Sequence, residues 1–240
     1  MSDPVPDGPV PETFEIQGRR VTFPVEVRLA RMANAVYTVP AGAASAVVDD
    51  DAFEVVADVH GAATVVVGFV DYVDNDLGDY DEVLCSVMAR HRESGHEGTY
   101  IWRLPVNQEF TCEAGVRMLG LPKTVEQIDV VRDDESVTCT LISGGRLVLR
   151  QRFPLLADVD PVPMPSPTVC LSRIAGTPAR SESEPTGSLR MAFGADGYAL
   201  ELGEHEWADE LRTVGLDVVA PTVITVCDDW RSTFASPEPL

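Results

Sequence analysis

The sequence contains a single lysine, Lys123, among 18 basic residues, so every other basic side chain is an arginine. A guanidinium stays protonated, whereas a desolvated lysine amine can lose its proton and attack a carbonyl carbon. The residues around Lys123 are apolar, with Met118, Leu119 and Leu121 preceding it and a proline at position 122. Two interpretations fit this pattern: an exposed lysine after a helix end, or a Schiff-base lysine in an apolar pocket.

Schiff-base chemistry places a requirement on the pKa of Lys123. A free lysine amine with a pKa of ~10.4 is neutral for less than about 0.1% of the time at pH 7. Burial in an apolar pocket lowers the pKa of a lysine, and a nearby carboxyl group is then needed to move protons through the carbinolamine steps. The net charge of −21 opposes loss of the proton, so we expect a dry pocket that lowers the pKa by desolvation.

Motifs for other chemistries are missing from the sequence. It has no Gly-x-Gly-x-x-Gly, no Walker A loop and no Gly-x-Ser-x-Gly, and its four histidines do not form His-Glu-x-x-His. The acidic run 74–82 has Asp79 where an EF-hand calcium loop requires glycine. We therefore expect neither a metal ion nor a cofactor.

Composition restricts the partners and the compartment. The 240 residues include 39 acidic and 18 basic side chains, which argues against nucleic acid and against an anionic membrane surface. The longest nearly uninterrupted apolar stretch, residues 62–70, is too short to span a bilayer. The five cysteines are widely separated and odd in number, which favours a reducing, cytoplasmic environment.

The hydrophobic pattern predicts one mostly β domain over residues 14–230, between a disordered leader (residues 1–13) and a surface tail (residues 231–240). Short runs of β-branched residues separated by turns predict an antiparallel, barrel-like sheet. Within it, residues 14–23 and 188–202 are predicted hairpins, and residues 181–187 are a predicted loop. Short helices are predicted at 41–48, 112–119 and 204–214. The exposed strand edges favour a homo-oligomer.

Two segments carry a resemblance to a known family. Gly120-Leu-Pro-Lys-Thr, with Glu113-Ala-Gly before it, resembles the lysine-bearing segment of the acetoacetate decarboxylase superfamily. The segment 71–83 is similar to the family's glutamate-bearing loop. The resemblance covers about residues 27–230 and implies a mostly β (α+β) fold, an antiparallel β-barrel or cone with a few short helices. It also implies that Lys123 is the Schiff-base lysine, that Glu82 is the active-site glutamate, and that the chain forms homo-oligomers.

The sequence departs from the family pattern at three positions. Thr124 stands where decarboxylases have a second lysine, Thr38 falls at the place of the substrate-binding arginine, and Val67 at that of a second glutamate. Without the second lysine, like-charge repulsion cannot lower the pKa of Lys123. Four arginines are candidates for the missing cation: Arg28, Arg31, Arg103 and Arg117.

Three functions follow as alternatives. The first is a cofactor-independent lyase that decarboxylates an acetoacetate-like β-keto acid through an imine on Lys123, with Glu82 relaying protons. In this hypothesis Met118, Leu119, Leu121 and Arg117 contact the substrate. The second uses the same imine for an aldol, dehydration or cyclisation reaction of a keto acid. The third is a small-molecule binder without catalysis.

Overall fold

The computed structural model of the protein describes residues 11–240, so residues 1–10 of the predicted leader lie outside the described part. Most of the described chain is β-structure, with three short helices. The helices are α1 (Ala41–Ala44, followed by the 3-10 turn Ser45–Val47), α2 (Glu109–Leu119) and α3 (Glu206–Val214). The strands are β1 (Thr13–Ile16), β2 (Arg19–Thr22), β3 (Val25–Pro40), β4 (Phe53–Val55), β5 (Ala62–Asn75), β6 (Tyr80–His91), β7 (Glu97–Val106), β8 (Lys123–Val125), β9 (Gln127–Arg132), β10 (Ser136–Ser143), β11 (Arg146–Pro154), β12 (Val162–Pro163), β13 (Thr168–Ile174), β14 (Thr177–Ser183), β15 (Ser188–Phe193), β16 (Ala199–Leu202), β17 (Val223–Phe234) and β18 (Glu238–Pro239).

The larger sheet closes on itself. Its strands run in the order β17-β3-β5-β6-β7-β13-β14, and a pairing of β14 with β17 at Ser183 and Phe234 completes the ring. Two of its pairings are parallel, β7 with β13 and β7 with β8, and the other pairings are antiparallel. This arrangement confirms the predicted mostly β, barrel-like fold.

A four-stranded sheet in the order β16-β11-β10-β9 packs against the ring, and β1 and β2 form a separate hairpin. The buried side chains divide into two cores. The larger one lies between the two sheets and includes Tyr37, Phe153 and Leu211, whereas the smaller one includes Tyr72, Met118 and helix α2. Strand β3 contributes to both, with residues 25–30 in the smaller core and residues 33–39 in the larger.

Several local predictions are confirmed. The hairpin expected over residues 14–23 is β1–β2, and the three expected helices are present with shifted ends. The 16-residue strand β3 had no counterpart in the prediction. Its interior carries arginine and asparagine between apolar residues, which weakens the pattern that identifies a strand.

Three predictions differ from the structure. Residues 188–202 do not form a hairpin, because β15 pairs with β17 in the ring and β16 pairs with β11 in the smaller sheet. Residues 181–183, predicted to belong to a loop, are the end of β14. The predicted tail continues β17 to Phe234 and adds β18, which pairs with β14. A pattern of alternation reveals a strand but not its partner, so such pairings depend on the packed structure.

Over residues 11–240, no helix has the length and apolar character needed to cross a bilayer.

Candidate active site

Lys123 is the first residue of β8, which lies parallel to β7 with Lys123 opposite Leu104. Helix α2 ends at Leu119, and the next residue, Gly120, has a φ of 64°, a left-handed conformation that favours glycine. A Cβ at position 120 would also lie 2.4 Å from the Arg173 carbonyl oxygen. The chain therefore reverses tightly at the end of α2 and returns the Lys123 side chain towards the helix.

One face of α2 is shaped to receive the lysine side chain. Thr111, Gly115 and Leu119 are spaced four residues apart, so they share this face, and all three are buried. A Cβ on Gly115 would lie 2.5 Å from Lys123 Cδ and 2.7 Å from Cε. The missing side chain at position 115 thus provides the space in which the lysine side chain lies.

The Lys123 amine forms a buried ion pair with Glu82. Its Nζ lies 2.7 Å from Glu82 Oε2, and the two side chains are only 4% and 8% exposed. Glu82 lies near the start of β6, where it pairs with Val70 of β5 on one side and Val106 of β7 on the other. The structure therefore brings together the two residues that the sequence identified as catalytic candidates.

Two tyrosines and a threonine complete the polar surroundings of the pair. The Tyr72 hydroxyl donates a hydrogen bond to Glu82 Oε1 at 3.3 Å, and Lys123 Nζ donates to Thr111 Oγ1 at 3.5 Å. The ring of Tyr80 stacks on Tyr72 with centroids 4.3 Å apart and lies 4.9 Å from Lys123 Nζ. Burial and the adjacent charge of Glu82 raise the pKa of Tyr72, so its hydroxyl remains a donor.

The protonation of Lys123 differs from the sequence-based expectation. Burial by itself lowers the pKa of the amine, but the charge of Glu82, with contributions from Tyr80, outweighs it and raises the pKa above the ordinary value. The expected lowering by desolvation is therefore wrong for this arrangement. The sequence indicated a glutamate near the lysine, but not a contact as short as an ion pair.

The pair lies in the wall of a cavity of about 210 Å³. The other lining side chains are mostly apolar and come from the ring strands and from the segment after α2. Among them are Val27, Val70, Leu84, Ile101, Leu104 and Trp230.

The predicted substrate-contacting residues divide into two groups. Leu119 and Leu121 line the cavity beside Lys123. Met118 is 1% exposed and packs into the smaller core instead. Arg117 is also away from the cavity, on the solvent face of α2, where it pairs with Glu113 at 2.8 Å and donates to the Glu15 carbonyl.

The other candidate cations are also engaged elsewhere. Arg28 pairs with Asp74 and Asp76, Arg31 pairs with Asp71, and Arg103 pairs with Glu210. Thr38 and Val67, which occupy the family's arginine and second glutamate positions, do not reach the site, since Thr38 is exposed and Val67 lies in the larger core. Thr124 follows the lysine with its hydroxyl buried and without a hydrogen-bond partner. Within residues 11–240, therefore, the cavity wall has no arginine.

Sequence reasoning missed Tyr72, Tyr80, Thr111 and Gly115. Signals for Tyr80, Thr111 and Gly115 were present in the sequence. Tyr80 and Glu82 are two residues apart and so share a strand face, while the helical spacing of Thr111, Gly115 and Leu119 marks a face with little bulk. No cluster of metal-ligating side chains occurs among the described residues.

Comparisons with known proteins agree with this fold. A family model described as acetoacetate decarboxylase matches residues 16–225. The structure is similar to an acetoacetate decarboxylase from Legionella pneumophila, with a TM-score of 0.68 and 14% identity over 90% of this chain and 87% of that chain. A second structure of an acetoacetate decarboxylase gives a TM-score of 0.67 and 16% identity over 90% of this chain and 89% of that chain. The structure of the enduracididine biosynthesis enzyme MppR in complex with pyruvate gives a TM-score of 0.64 and 14% identity over 90% of each chain. No curated protein sequence matches significantly.

Proposed function

Because the chain belongs to the acetoacetate decarboxylase family, we propose that Lys123 forms a Schiff base with a carbonyl substrate and that the reaction is the decarboxylation of a β-keto acid. The observation that carries this proposal is the buried Lys123–Glu82 pair, 2.7 Å apart, in the wall of an apolar cavity. Such a pair supplies both the nucleophile and the proton carrier that imine chemistry requires.

The pair offers a route to a neutral amine despite the raised pKa of Lys123. Transfer of one proton from Nζ to Glu82 turns an ammonium and a carboxylate into an amine and a carboxylic acid. The net charge of the pair is zero before and after this transfer. An apolar cavity penalises separated charges. The difference in free energy between the ion pair and the neutral amine–carboxylic acid pair is therefore smaller in the cavity than in water.

The following steps use the same two groups. The Lys123 amine attacks the substrate carbonyl, and protonated Glu82 returns its proton as the hydroxyl leaves as water, which gives a protonated imine. The bond to the carboxylate then breaks, CO₂ leaves, and the bonding electrons form a neutral enamine. Protonation of the enamine carbon and hydrolysis of the resulting imine release the product and the free lysine.

The neighbouring side chains have positioning roles in this proposal. Tyr72 holds Glu82 through the 3.3 Å hydrogen bond to Oε1, which leaves Oε2 directed at the amine. Thr111 accepts a hydrogen bond from Nζ and fixes its direction. Leu119 and Leu121 keep water from this end of the cavity.

A second reaction, aldol condensation or dehydration on the same imine, is favoured by one observation. The part of the cavity wall within residues 11–240 has no arginine to hold a substrate carboxylate next to the imine. A carbonyl substrate without a β-carboxylate would match the zero net charge of the Lys123–Glu82 pair. A relative with this fold, MppR, has been determined with a condensation product of pyruvate and imidazole 4-carboxaldehyde.

The test is reductive trapping with borohydride in the presence of acetoacetate or pyruvate, followed by peptide mass spectrometry. We expect a substrate-sized mass on the peptide that contains Lys123. Release of CO₂ from acetoacetate would indicate decarboxylation. Labelling by pyruvate without release of CO₂ would indicate the aldol or dehydration reaction. Absence of labelling across both compounds would favour a non-catalytic binder.

Two variants make the assignment specific. Lys123→Arg keeps the charge but removes the nucleophile, and continued turnover in this variant would overturn the imine mechanism. Arg117→Lys places a second amine on the exposed face of α2, where it retains a charge opposite Glu113. We expect this new lysine to remain almost unlabelled under conditions that label Lys123, and equal labelling of the two would contradict a special environment at Lys123.

A further inference from the structure

The charged groups of the cavity neutralise each other. Within residues 11–240, Lys123 and Glu82 are the two charged side chains in its wall, and they form an ion pair with each other. A substrate that brings one further permanent charge would leave that charge without a counter-charge among mostly apolar side chains. Burial of an unpaired carboxylate is strongly unfavourable.

Most polar groups in the wall already have partners. Thr168 and Ser183 hydrogen-bond to each other through their hydroxyl oxygens at 2.7 Å. Asn75 donates to the Gly78 carbonyl and accepts from the Leu77 backbone amide. These groups are uncharged and already take part in hydrogen bonds within the wall, so they provide no positive charge to balance a carboxylate.

The rest of the wall is hydrocarbon. Aliphatic side chains from the strands of the ring face the cavity, together with aromatic rings near the closing pair β14–β17. Examples are Val27, Leu84, Ile101, Leu104, Trp230 and Phe234. Each methylene that moves from water into such surroundings strengthens binding by about fourfold.

We infer that the site selects carbonyl compounds with an uncharged hydrocarbon substituent of several carbons, and that it rejects compounds in which this substituent carries a carboxylate that the reaction does not remove. This inference rests on the proposed imine on Lys123, since it concerns the substituent on the carbonyl that becomes the imine. The carboxylate of a β-keto acid is consistent with it, because that group leaves as CO₂ and takes its charge from the cavity. A carboxylate that is retained on the substituent would stay in the cavity through every step.

The test is a series of methyl ketones with increasing chain length, trapped on Lys123 by sodium cyanoborohydride. The series is acetone, butanone, methyl propyl ketone, methyl butyl ketone and methyl pentyl ketone. We expect the concentration for half-maximal labelling to fall by about fourfold per methylene until the cavity is filled. Equal labelling along the series would overturn the inference.

A charged probe tests the rejection of anions. Levulinate and methyl isopentyl ketone have nearly the same shape, but the first ends in a carboxylate and the second in a branched hydrocarbon. We expect levulinate to require a concentration about a hundredfold higher or more, because its carboxylate has no counter-charge. Equal or stronger labelling by levulinate would contradict the inference.

A pair of variants relates this preference to the cavity. Thr168 is exposed at the start of β13 and lines the cavity, whereas Thr177 is exposed on the same hairpin but does not line it. Thr168→Arg should improve labelling by levulinate by about tenfold relative to methyl isopentyl ketone. Thr177→Arg adds the same charge nearby and should leave the ratio unchanged. An equal change in both variants would indicate a general charge effect and count against the inference.

A binding measurement separates this inference from the proposed function. Trp230 lines the cavity, so its fluorescence reports occupancy without any covalent step. Chain-length-dependent binding without trapping would overturn the imine proposal but support the preference for hydrocarbon ligands. Trapping without a chain-length or charge preference would support the imine and overturn the preference.

Discussion

The side chain of Lys123 lies against the bare Cα of Gly115, in a space where a Cβ would be 2.5 Å from Lys123 Cδ and 2.7 Å from Cε. Since helices favour alanine over glycine, a glycine in the interior of α2 costs helix stability of roughly 0.5–1 kcal/mol. This glycine is explained by its contact with the lysine.

We predict that Gly115→Ala will displace the amine from Glu82 and reduce reductive trapping at Lys123 by about tenfold or more. The free energy of unfolding should also fall, by about 1–3 kcal/mol, because the separated charges of Lys123 and Glu82 remain buried and the gain in helix propensity recovers only about 1 kcal/mol. Trapping yields and urea denaturation measure the two effects. Gly42→Ala in α1 is the matched control, since its Cβ would contact nothing within 4 Å. Unchanged trapping in Gly115→Ala would show that the lysine does not need this space.

We predict that Glu82→Gln will lower the pKa of Lys123, because burial then acts without the opposing negative charge. The pH of half-maximal trapping should move to lower values than in the wild type. Turnover should fall by about 10²–10⁴-fold, since an amide cannot carry the proton. The pH profile of trapping, measured beside that of Glu113→Gln, tests this prediction. Glu113 pairs with Arg117 on the other face of α2, so its variant should retain the wild-type profile.

The buried pair also predicts non-additive effects on stability. Lys123→Met leaves Glu82 buried without its partner and should cost about 3–5 kcal/mol of unfolding free energy at pH 7, whereas Lys123→Met with Glu82→Leu should be near neutral.

Because the folded pKa of Lys123 is raised, the pair stabilises the protein below the unfolded pKa of ~10.4 and loses this effect as pH rises through the folded value. Urea titrations of both variants test this coupling, and additive costs would contradict it.

We predict that Tyr72→Phe will reduce turnover by about tenfold, because Glu82 loses the hydrogen bond that orients it. The ring and its stacking on Tyr80 are retained, so the fold should persist. Tyr37→Phe is the control, since the Tyr37 hydroxyl also makes a buried hydrogen bond, 2.8 Å from the Tyr198 hydroxyl, but in the larger core. A similar loss of turnover in both variants would show a general effect of losing a buried hydroxyl.

Asp81, which lies outside the cavity wall, should make the stability of the protein depend on pH. Burial, together with the charge of Asp71, raises the pKa of Asp81 to about 6. A raised carboxyl pKa means that stability decreases as pH rises from about 4 to 6, because the folded state then releases a proton that the unfolded state has already lost. We expect Asp81→Asn to stabilise the protein at pH 7 by about 1 kcal/mol, a value reduced for its partial exposure. The advantage should vanish below pH ~4, and Asp134→Asn, in an exposed turn, is the control. Equal gains in both variants would indicate a net-charge effect.

The sequence identified the two central residues because each lies in a short segment with a family pattern. The β-branched runs likewise identified most strands, since alternation and turn residues are local properties. The membership in the family and the mostly β barrel were therefore predictable.

The direction of side chains was less predictable. Arg117 and Met118 are close to Lys123 in sequence, but the helix turns one to solvent and the other into the smaller core. Tyr72 and Tyr80 meet only because β5 and β6 pair in a register that places them opposite each other. The raised pKa of Lys123 likewise depends on a contact between β6 and β8, which no local pattern encodes.

The division of the interior into two cores has a consequence for how this protein can change. The residues around the cavity, such as Val27, Tyr72 and Trp230, belong to the smaller core, while the larger one holds the two sheets together without them. Substitutions that reshape the cavity would therefore leave most of the packing between the sheets intact. A chain built in this way can acquire a new substrate through changes on one side of the barrel while the other side preserves its architecture.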